Sequence, residues 1–323
     1  MGSIPIGISA SRGAAILGQS KYSEPVDAWL KICESITPGF CEANFYPKPE
    51  FVDNAATRWG NALEQYIIEF AELEYKKETN KVTAMTDMER LYTHPEYDYI
   101  TCHIDGAYAG LNILHEGKTA NERTYRNDWG EPGTDQIPRG YMVQVQHQMM
   151  LTGADRCIVS VLVLPKMQDE LPDPDELTES EIRTIATGLY SMGYFHQYPV
   201  EANKELQDLM VEKYVRFWNG HVLTKRPPRP RSLDWIKKLI PEPHGTIIAN
   251  EQVQRWSTEL SSLNRELKTG EARKKELREF IFNYMRDEME RENFVIDKET
   301  KKKMILMAPN GRKMHSYNGK QFR

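Results

Sequence analysis

The stretch YITCHIDGAYAGLNILHEGKT, Tyr99 to Thr119, decides how this chain is read. Asp105 closes the run Ile100-Thr101-Cys102-His103-Ile104, and Glu116 and Lys118 follow with only Gly117 between them. Residues i and i+2 of a strand share a face, so Glu116 and Lys118 point the same way. Gly106 and the Gly110-Leu111-Asn112 segment supply turn formers. The second strand then folds back beside the first and brings Asp105 next to Glu116. Two neighbouring carboxylates repel, and a hard divalent cation relieves the repulsion. Mg²⁺ is commonly held by one or two carboxylates, waters and substrate phosphate. A lysine beside such a metal orients or activates the attacking water and offsets charge developing on phosphate. The same three residues also fit an ordinary hairpin with solvated charges, because short motifs recur by accident.

Composition narrows the alternatives. The chain has 323 residues, 40% hydrophobic and 28% charged, enough for a sizeable core and for two domains or one domain with an appendage. A net charge of −5 excludes a globally basic nucleic-acid binder, so attraction to DNA needs a local patch. Cys33, Cys41, Cys102 and Cys157 form no CxxC pair, which argues against zinc or an iron–sulfur cluster. That usage suits a reduced cytoplasmic setting. No apolar run is long enough for a membrane span, and no signal peptide is evident.

Working outward from the hairpin, the N-terminal segment GISASRGAAILGQSKY predicts a short helix capped by Ser9 or Ser11, with Ala14, Ala15, Ile16 and Leu17 on its apolar face. Ser9, Ser11 and Arg12 stand at its start, where N–H groups favour an anion, although simple capping uses the same residues. A second short helix carries Val26, Trp29, Leu30 and Ile32, and residues 35–54 read as irregular. Trp59, Leu63, Tyr66, Ile67 and Phe70 recur at spacings of three and four, predicting a helix over 55–76. Glu64 lies at the margin of that stripe, facing either water or a cleft. Residues 90–93 suggest a short strand, and 120–137 a mobile polar loop.

Pro138 starts a helix over 138–152 with Met142, Val145, Met149 and Met150 toward the core and Gln144, His147 and Gln148 on a neighbouring face. CIVSVLVL, 157–164, reads as a buried strand. An acidic loop over 168–182, an edge strand with Pro199 and an amphipathic helix over 202–219 follow. The segment VLTKRPPRPRSLDWIKK reads as a stiff basic linker, with Lys225, Arg226, Arg229, Arg231, Lys237 and Lys238 against the single acid Asp234. Val253, Trp256, Leu260, Leu263 and Leu267 form a heptad seam, resumed at Leu277, Phe280, Ile281 and Tyr284. One long helix and a helical hairpin broken at Gly270 both fit. A final hairpin turns at Pro309-Asn310-Gly311.

Five pieces in order resemble one family. SASRGAAILGQSKY, RWGNALEQY, HIDGAYAG-LNILHEGKT, GYMVQVQHQMMLTGA and RFWNGHVLTKRPPRP are similar to successive motifs of the YqaJ-like viral recombinases and lambda-type exonucleases, over about residues 7–230. The resemblance implies an α/β PD-(D/E)XK fold, a mixed sheet flanked by helices, over residues 1–235. Residues 236–323 would form a helical appendage with a terminal hairpin.

The resemblance also implies an Mg²⁺-dependent exonuclease, with Mn²⁺ as a substitute, that degrades linear double-stranded DNA from 5′ ends and leaves 3′ tails for a single-strand annealing protein. Carried over by position, Asp105, Glu116, Glu64 and the Gly117 carbonyl look like metal ligands. Lys118 looks like the catalytic lysine and Gln144 its supporting glutamine. Ser9, Ser11 and Arg12 look like the 5′-phosphate site. Lys225 and Arg226, in the basic patch, either contact DNA phosphates or belong to a solvated linker. The family includes trimeric rings, which implies a homo-oligomer and no membrane association. Two positions depart from the pattern. Ile104 replaces the usual proline, and Ile4-Pro5-Ile6 occupies the place of an upstream arginine. Rival readings are a Cas4- or RecB-like nuclease of different polarity, which usually carries cluster-binding cysteines, and a noncatalytic DNA-binding or assembly protein on the same fold.

Overall fold

Strand β6 (Ile113–Asn121) and strand β7 (Arg156–Leu164) run parallel as inner strands of a five-stranded sheet. The computed structural model describes residues 7–49, 54–88, 90–165, 171–232, 235, 251–290, 304–307 and 313–317. The chain divides into two compact units, Met1–Pro243 and His244–Arg323.

In the first unit, chain order is β1 (Ile8–Ser9), α1 (Ala10–Ile16), α2 (Pro25–Ile36), α3 (Phe40–Ala43), α4 (Ala55–Thr79), β2 (Met85–Thr86), β3 (Leu91–Thr93) and β4 (Ile100–His103). Then come β5 (Gly106–Tyr108), β6, α5 (Glu122–Asp128), α6 (Arg139–Thr152), β7, α7 (Glu179–Ser191), β8 (Phe195–Glu201) and α8 (Lys204–Phe217). A five-stranded mixed sheet has the order β2-β5-β6-β7-β8, and a three-stranded sheet the order β1-β4-β3.

Alternation along β7 explains the layers. Cys157, Val159, Val161 and Val163 pack with Val145 and Met149 of α6 on one face. Leu162 and Leu164 pack with Trp59, Leu63, Tyr66, Ile67 and Phe70 of α4 and with Ala186 and Leu189 of α7 on the other. A strand buried on both faces needs the continuous apolar run that this one has. Burying a side chain of the size of Leu or Val contributes about 1.5–3 kcal/mol, so these two layers dominate the favourable side of folding. A third cluster gathers Ile8, Trp29, Leu30, Ile32, Ile100, Met210 and Tyr214 around the small sheet.

The structure corrects several local expectations. The strand beside β6 is β5, with Gly106 opposite His115 and Ala107 opposite Leu114; Ile100–His103 belongs to the other sheet. Asp105 therefore sits where the chain crosses between sheets, next in register to Glu116. Residues 120–137 are not wholly loop. Asn121 accepts the Thr124 N–H at 2.8 Å and starts α5, which has no buried residue and hence no apolar periodicity to betray it.

The acidic stretch likewise runs into α7. Thr178 and Glu181 form a reciprocal capping box there. A single helical turn, α3, interrupts the 35–54 segment. Ser9 occupies the N-cap of α1, yet its hydroxyl lies 3.1 Å from Ser11 Oγ and makes no capping bond. Leu209 is exposed on α8. The stiff segment after α8 is held down on the first helices: Glu24 accepts the Arg231 and Ser232 N–H groups at 2.7 and 3.1 Å, and Arg231 Nη1 donates to the Gly18 carbonyl at 3.0 Å. Asp234, Lys237 and Lys238 lie outside the described residues.

The second unit holds α9 (Glu251–Glu290), one continuous helix through Gly270, and an antiparallel pair, β9 (Met304–Met307) and β10 (Lys313–Tyr317). The Pro309-Asn310-Gly311 turn and the Ile281 and Tyr284 side chains lie outside what is described.

Candidate active site

Period-two alternation along β6 turns Leu114, Glu116, Lys118 and Ala120 toward α6, with Leu114 and Ala120 in the core that α6 shares. Gly117 falls on the α4 face, where an added Cβ would lie 3.3 Å from Ile67 Cγ2, so a side chain there would press α4 away from the sheet. The Gly117 N–H donates to Asp105 Oδ2 at 2.8 Å. A residue in an extended strand sends its N–H and C=O to the same side. The Gly117 carbonyl therefore also faces the edge where Asp105 sits.

Glu116 is fully buried. Its Oε1 accepts from Lys118 Nζ and from Gln144 Nε2, and its Oε2 accepts from Gln148 Nε2 at 2.6 Å. Gln148 Nε2 also reaches the His103 carbonyl at 3.2 Å, tying α6 to the end of β4. Hydrogen bonds to a charged group contribute about 1.5–3 kcal/mol each, and a carboxylate this deep needs several. Gln144 and Gln148 stand one turn apart on one helix face, which is what lets both reach the same carboxylate. Gln148 is the residue that sequence reasoning placed on the right face without giving it a role; its i,i+4 spacing from Gln144 was the available signal. Tyr141 was missed as well, and the Lys118 ammonium lies 5.2 Å over its ring.

The electrostatics follow from burial and crowding. Asp105 is pushed up to about 7, first by burial and then by the Glu116 charge, with Glu64 adding to the rise while Lys118 and the Gly117 N–H oppose it. Burial works to lower the Lys118 ammonium, but Glu116 and Asp105 outweigh it and hold Lys118 above its ordinary value. The two carboxylates thus favour the charged ammonium, which suits an orienting, donating role. His147, the lone histidine of α6, is lowered to about 4 by burial and is structural, with Nε2 3.1 Å from the Thr101 carbonyl and Nδ1 3.3 Å from Tyr214 Oη.

A cavity of about 750 Å³ opens beside this cluster and collects most of the expected site. Asp105, Gln144 and Gln148 line it together with Ser9, Ser11 and Arg12. The parallel pairing of β1 with β4, Ser9 opposite Thr101, is what sets the α1 start beside Asp105. Arg12 is half-buried, donates to the Gly7 carbonyl at 2.8 Å, and is lowered by desolvation. Glu64 is exposed on α4 and enters through its field on Asp105. Lys225 and Arg226 are exposed elsewhere; Lys225 lies 6.0 Å over the Phe40 ring, and neither lines the cavity. Residues 4–6 lie outside the described chain.

Among the described residues, no group of three or more His, Cys, Asp or Glu side chains converges as a ready-made metal cage. Two carboxylates and a backbone carbonyl are instead the sparse, all-oxygen donor set that Mg²⁺ takes, with water and phosphate completing its shell. Buried Gln148 Oε1 has no partner, and a water of such a shell would satisfy it. The residues present therefore fit a hard divalent cation.

The described residues thus form a mixed sheet flanked by helices, with an aspartate and a Glu-x-Lys pair meeting at its central strand. Residues 5–155 match the model of the YqaJ-like viral recombinase domain. An uncharacterised protein, YqaJ, of Bacillus subtilis (strain 168) is 24% identical over 222 residues, 69% of this chain. The chain spans 55% of the length of that relative. An alkaline exonuclease from Laribacter hongkongensis matches 72% of this chain and 93% of its own, at 18% identity and a TM-score of 0.45. A phage-related exonuclease from Haemophilus somnus 129PT matches 69% of this chain and 97% of its own, at 13% identity and a TM-score of 0.44. No helix among the described residues is long and apolar enough to cross a membrane.

Proposed function

We propose that this protein is an Mg²⁺-dependent exonuclease that hydrolyses linear double-stranded DNA from 5′ ends. The observation that carries the reading is the buried Glu116–Lys118 pair, fixed by Gln144 and Gln148 and facing Asp105 in an open cavity. A structural ion pair has no need of a second carboxylate beside it, and a buried pair is by itself weak for stability. Asp105, Glu116 and the Gly117 carbonyl would hold the cation, with Glu64 contributing its charge. When bound, the cation supplies Lewis-acid stabilisation and a more acidic water.

The remaining work falls to the chain. Water adds to phosphorus in line, the P–O3′ bond breaks, and the 3′ oxygen leaves with a proton. Lys118, held as an ammonium, donates toward the phosphoryl oxygens where charge builds. Ser9, Ser11 and Arg12 supply hydroxyls and a guanidinium for the terminal 5′ phosphate at the same cavity. The uncut strand is left as a 3′ tail, the substrate of a single-strand annealing partner.

The test is incubation of linear and closed-circular duplex with Mg²⁺, each end labelled in turn. Release of 5′-terminal mononucleotides from linear DNA alone is expected. Release from 3′ ends, or nicking of circles at the same rate, overturns the polarity or the end requirement.

A further inference from the structure

The cavity around Asp105 has a neighbour. A space of about 720 Å³ lies between the loop after α1, α5 and the first turn of α6. Ser11 and Gln144 line both spaces, and Gln144 is one of the residues that donate to Glu116. Tyr141 forms part of the second wall, beneath the Lys118 ammonium. The two cavities therefore share a wall at Ser11 and Gln144, beside the Glu116–Lys118 pair that Gln144 and Tyr141 touch.

Their walls differ in chemistry. The first carries Asp27 and Glu34 among its charged groups, beside Lys31 and Arg12. The second carries Tyr22, which is 84% exposed, and Arg139, also exposed. Its other charges, Lys21 and Asp128, neutralise each other as an ion pair. The balance is one guanidinium beside an open aromatic face.

A linear polymer cut at Glu116–Lys118 has chain on both sides of the scissile phosphate and needs a surface for each. We propose that the second cavity is a subsite for an unpaired nucleotide of the cut strand, adjoining the reacting cavity at Ser11 and Gln144. The base stacks on Tyr22 and a phosphate meets Arg139. This rests on the phosphodiester reading above and extends it to the strand beyond the bond that breaks. The volume falls in the range of small-ligand sites, which suits a nucleotide and excludes a duplex. Stacking on a tyrosine face accepts any base, so the subsite adds affinity without sequence preference.

Two measurements test it. Affinity for a short fluorescent single-stranded DNA, read by anisotropy in EDTA, needs no catalysis. Tyr22→Ala is expected to weaken binding about tenfold and Tyr22→Phe to keep it. Arg139→Ala is expected to weaken binding and lower the salt slope by about one ion. Wild-type affinity in both Tyr22→Ala and Arg139→Ala overturns the proposal. The second measurement is Mg²⁺-dependent hydrolysis of bis(p-nitrophenyl) phosphate, a diester too small to span both cavities. The two variants are expected to match wild type there. A loss in the variants would make Tyr22 and Arg139 supports of the reacting site and overturn the subsite. Wild-type inactivity on both this diester and DNA would instead defeat the nuclease reading, while the binding measurement still decides the subsite.

Discussion

Helices α6 and α9 invert each other. In α6, Gln146, His147 and Gln148 are buried, and Gln144 is half-buried against a carboxylate. In α9, Val253, Trp256, Leu260, Leu263 and Leu267 are between 43% and 68% exposed. Burying polar groups costs free energy unless each finds a partner, and α6 supplies them: Gln146 reaches the Glu201 carbonyl and the Asn203 N–H, and Gln148 reaches Glu116 and the His103 carbonyl. Exposing an apolar seam forgoes stabilisation that any covering surface would restore. The difference teaches where this chain holds its chemistry and where it offers a surface. Polar groups are buried where geometry must be exact to a few tenths of an ångström, and apolar groups are left open where another helix can lie.

The sharpest way to break this comparison is at Glu116. With three donors on the buried carboxylate, Glu116→Ala would strand Lys118 and both glutamines. Glu116→Gln keeps the shape and removes the charge. Turnover of linear duplex should fall by about a thousandfold or more, measured at saturating DNA with folding checked by circular dichroism. Activity within tenfold of wild type would reduce the α6 glutamines to packing.

Next comes the pH dependence of the metal-free protein. The ordinary carboxyl value for Asp105 is 3.8, and its folded value is about 7. The folded state therefore holds the proton over a range in which the unfolded chain has lost it. Asp105 lowers stability as pH climbs from about 4 to about 7, and the loss is complete above that. Asp105→Asn should stabilise the protein in EDTA at pH 8 by up to about 4 kcal/mol and leave it unchanged at pH 3.5. Urea midpoints at the two pH values check this, and an equal gain at both would assign the effect to something other than charge.

Gln148→Ala tests the brace rather than the ligand. It removes one donor from a buried carboxylate, at a cost of about 1–3 kcal/mol in stability. An outer partner of a metal ligand is worth about 10–100-fold in activity or metal affinity. Isothermal titration with Mg²⁺ and initial rates measure both, and wild-type metal affinity would detach α6 from the site.

The smallest effect is expected on α9. Leu260→Glu with Leu267→Glu should change the urea midpoint by no more than about 0.5 kcal/mol in free energy, because side chains this exposed stabilise a single chain little. A drop of several degrees in melting temperature would show that the seam is covered in solution.

Much of this was legible in the sequence, for identifiable reasons. β7 and α4 declare themselves through apolar pattern, and both form where the pattern places them. Asp105, Glu116 and Lys118 are close in sequence, so a single hairpin suffices to predict their meeting. The role of Gln148 was hidden because its partners, Glu116 and His103, come from strands 32 and 45 positions away. α5 and α7 were hidden for a different reason. Their start signals are capping side chains, Asn121 and Thr178, ahead of segments with few or no buried residues. The sheet assignment of β4 was also beyond local pattern, since strands 100–103 and 106–108 differ only in which neighbour they pair with.

The crossing at Asp105 has one more consequence. One acid stands at the join between two sheets, and the other is embedded in one of them. Their separation is a property of how the sheets are seated, and neither sheet alone determines it. A small slide between the sheets would leave every strand intact and still pull the two oxygens out of reach of a common ion. The spacing of the two acids is in that sense a gauge of tertiary alignment, and under the proposed function a bound cation would be the clasp that keeps the gauge at its working setting.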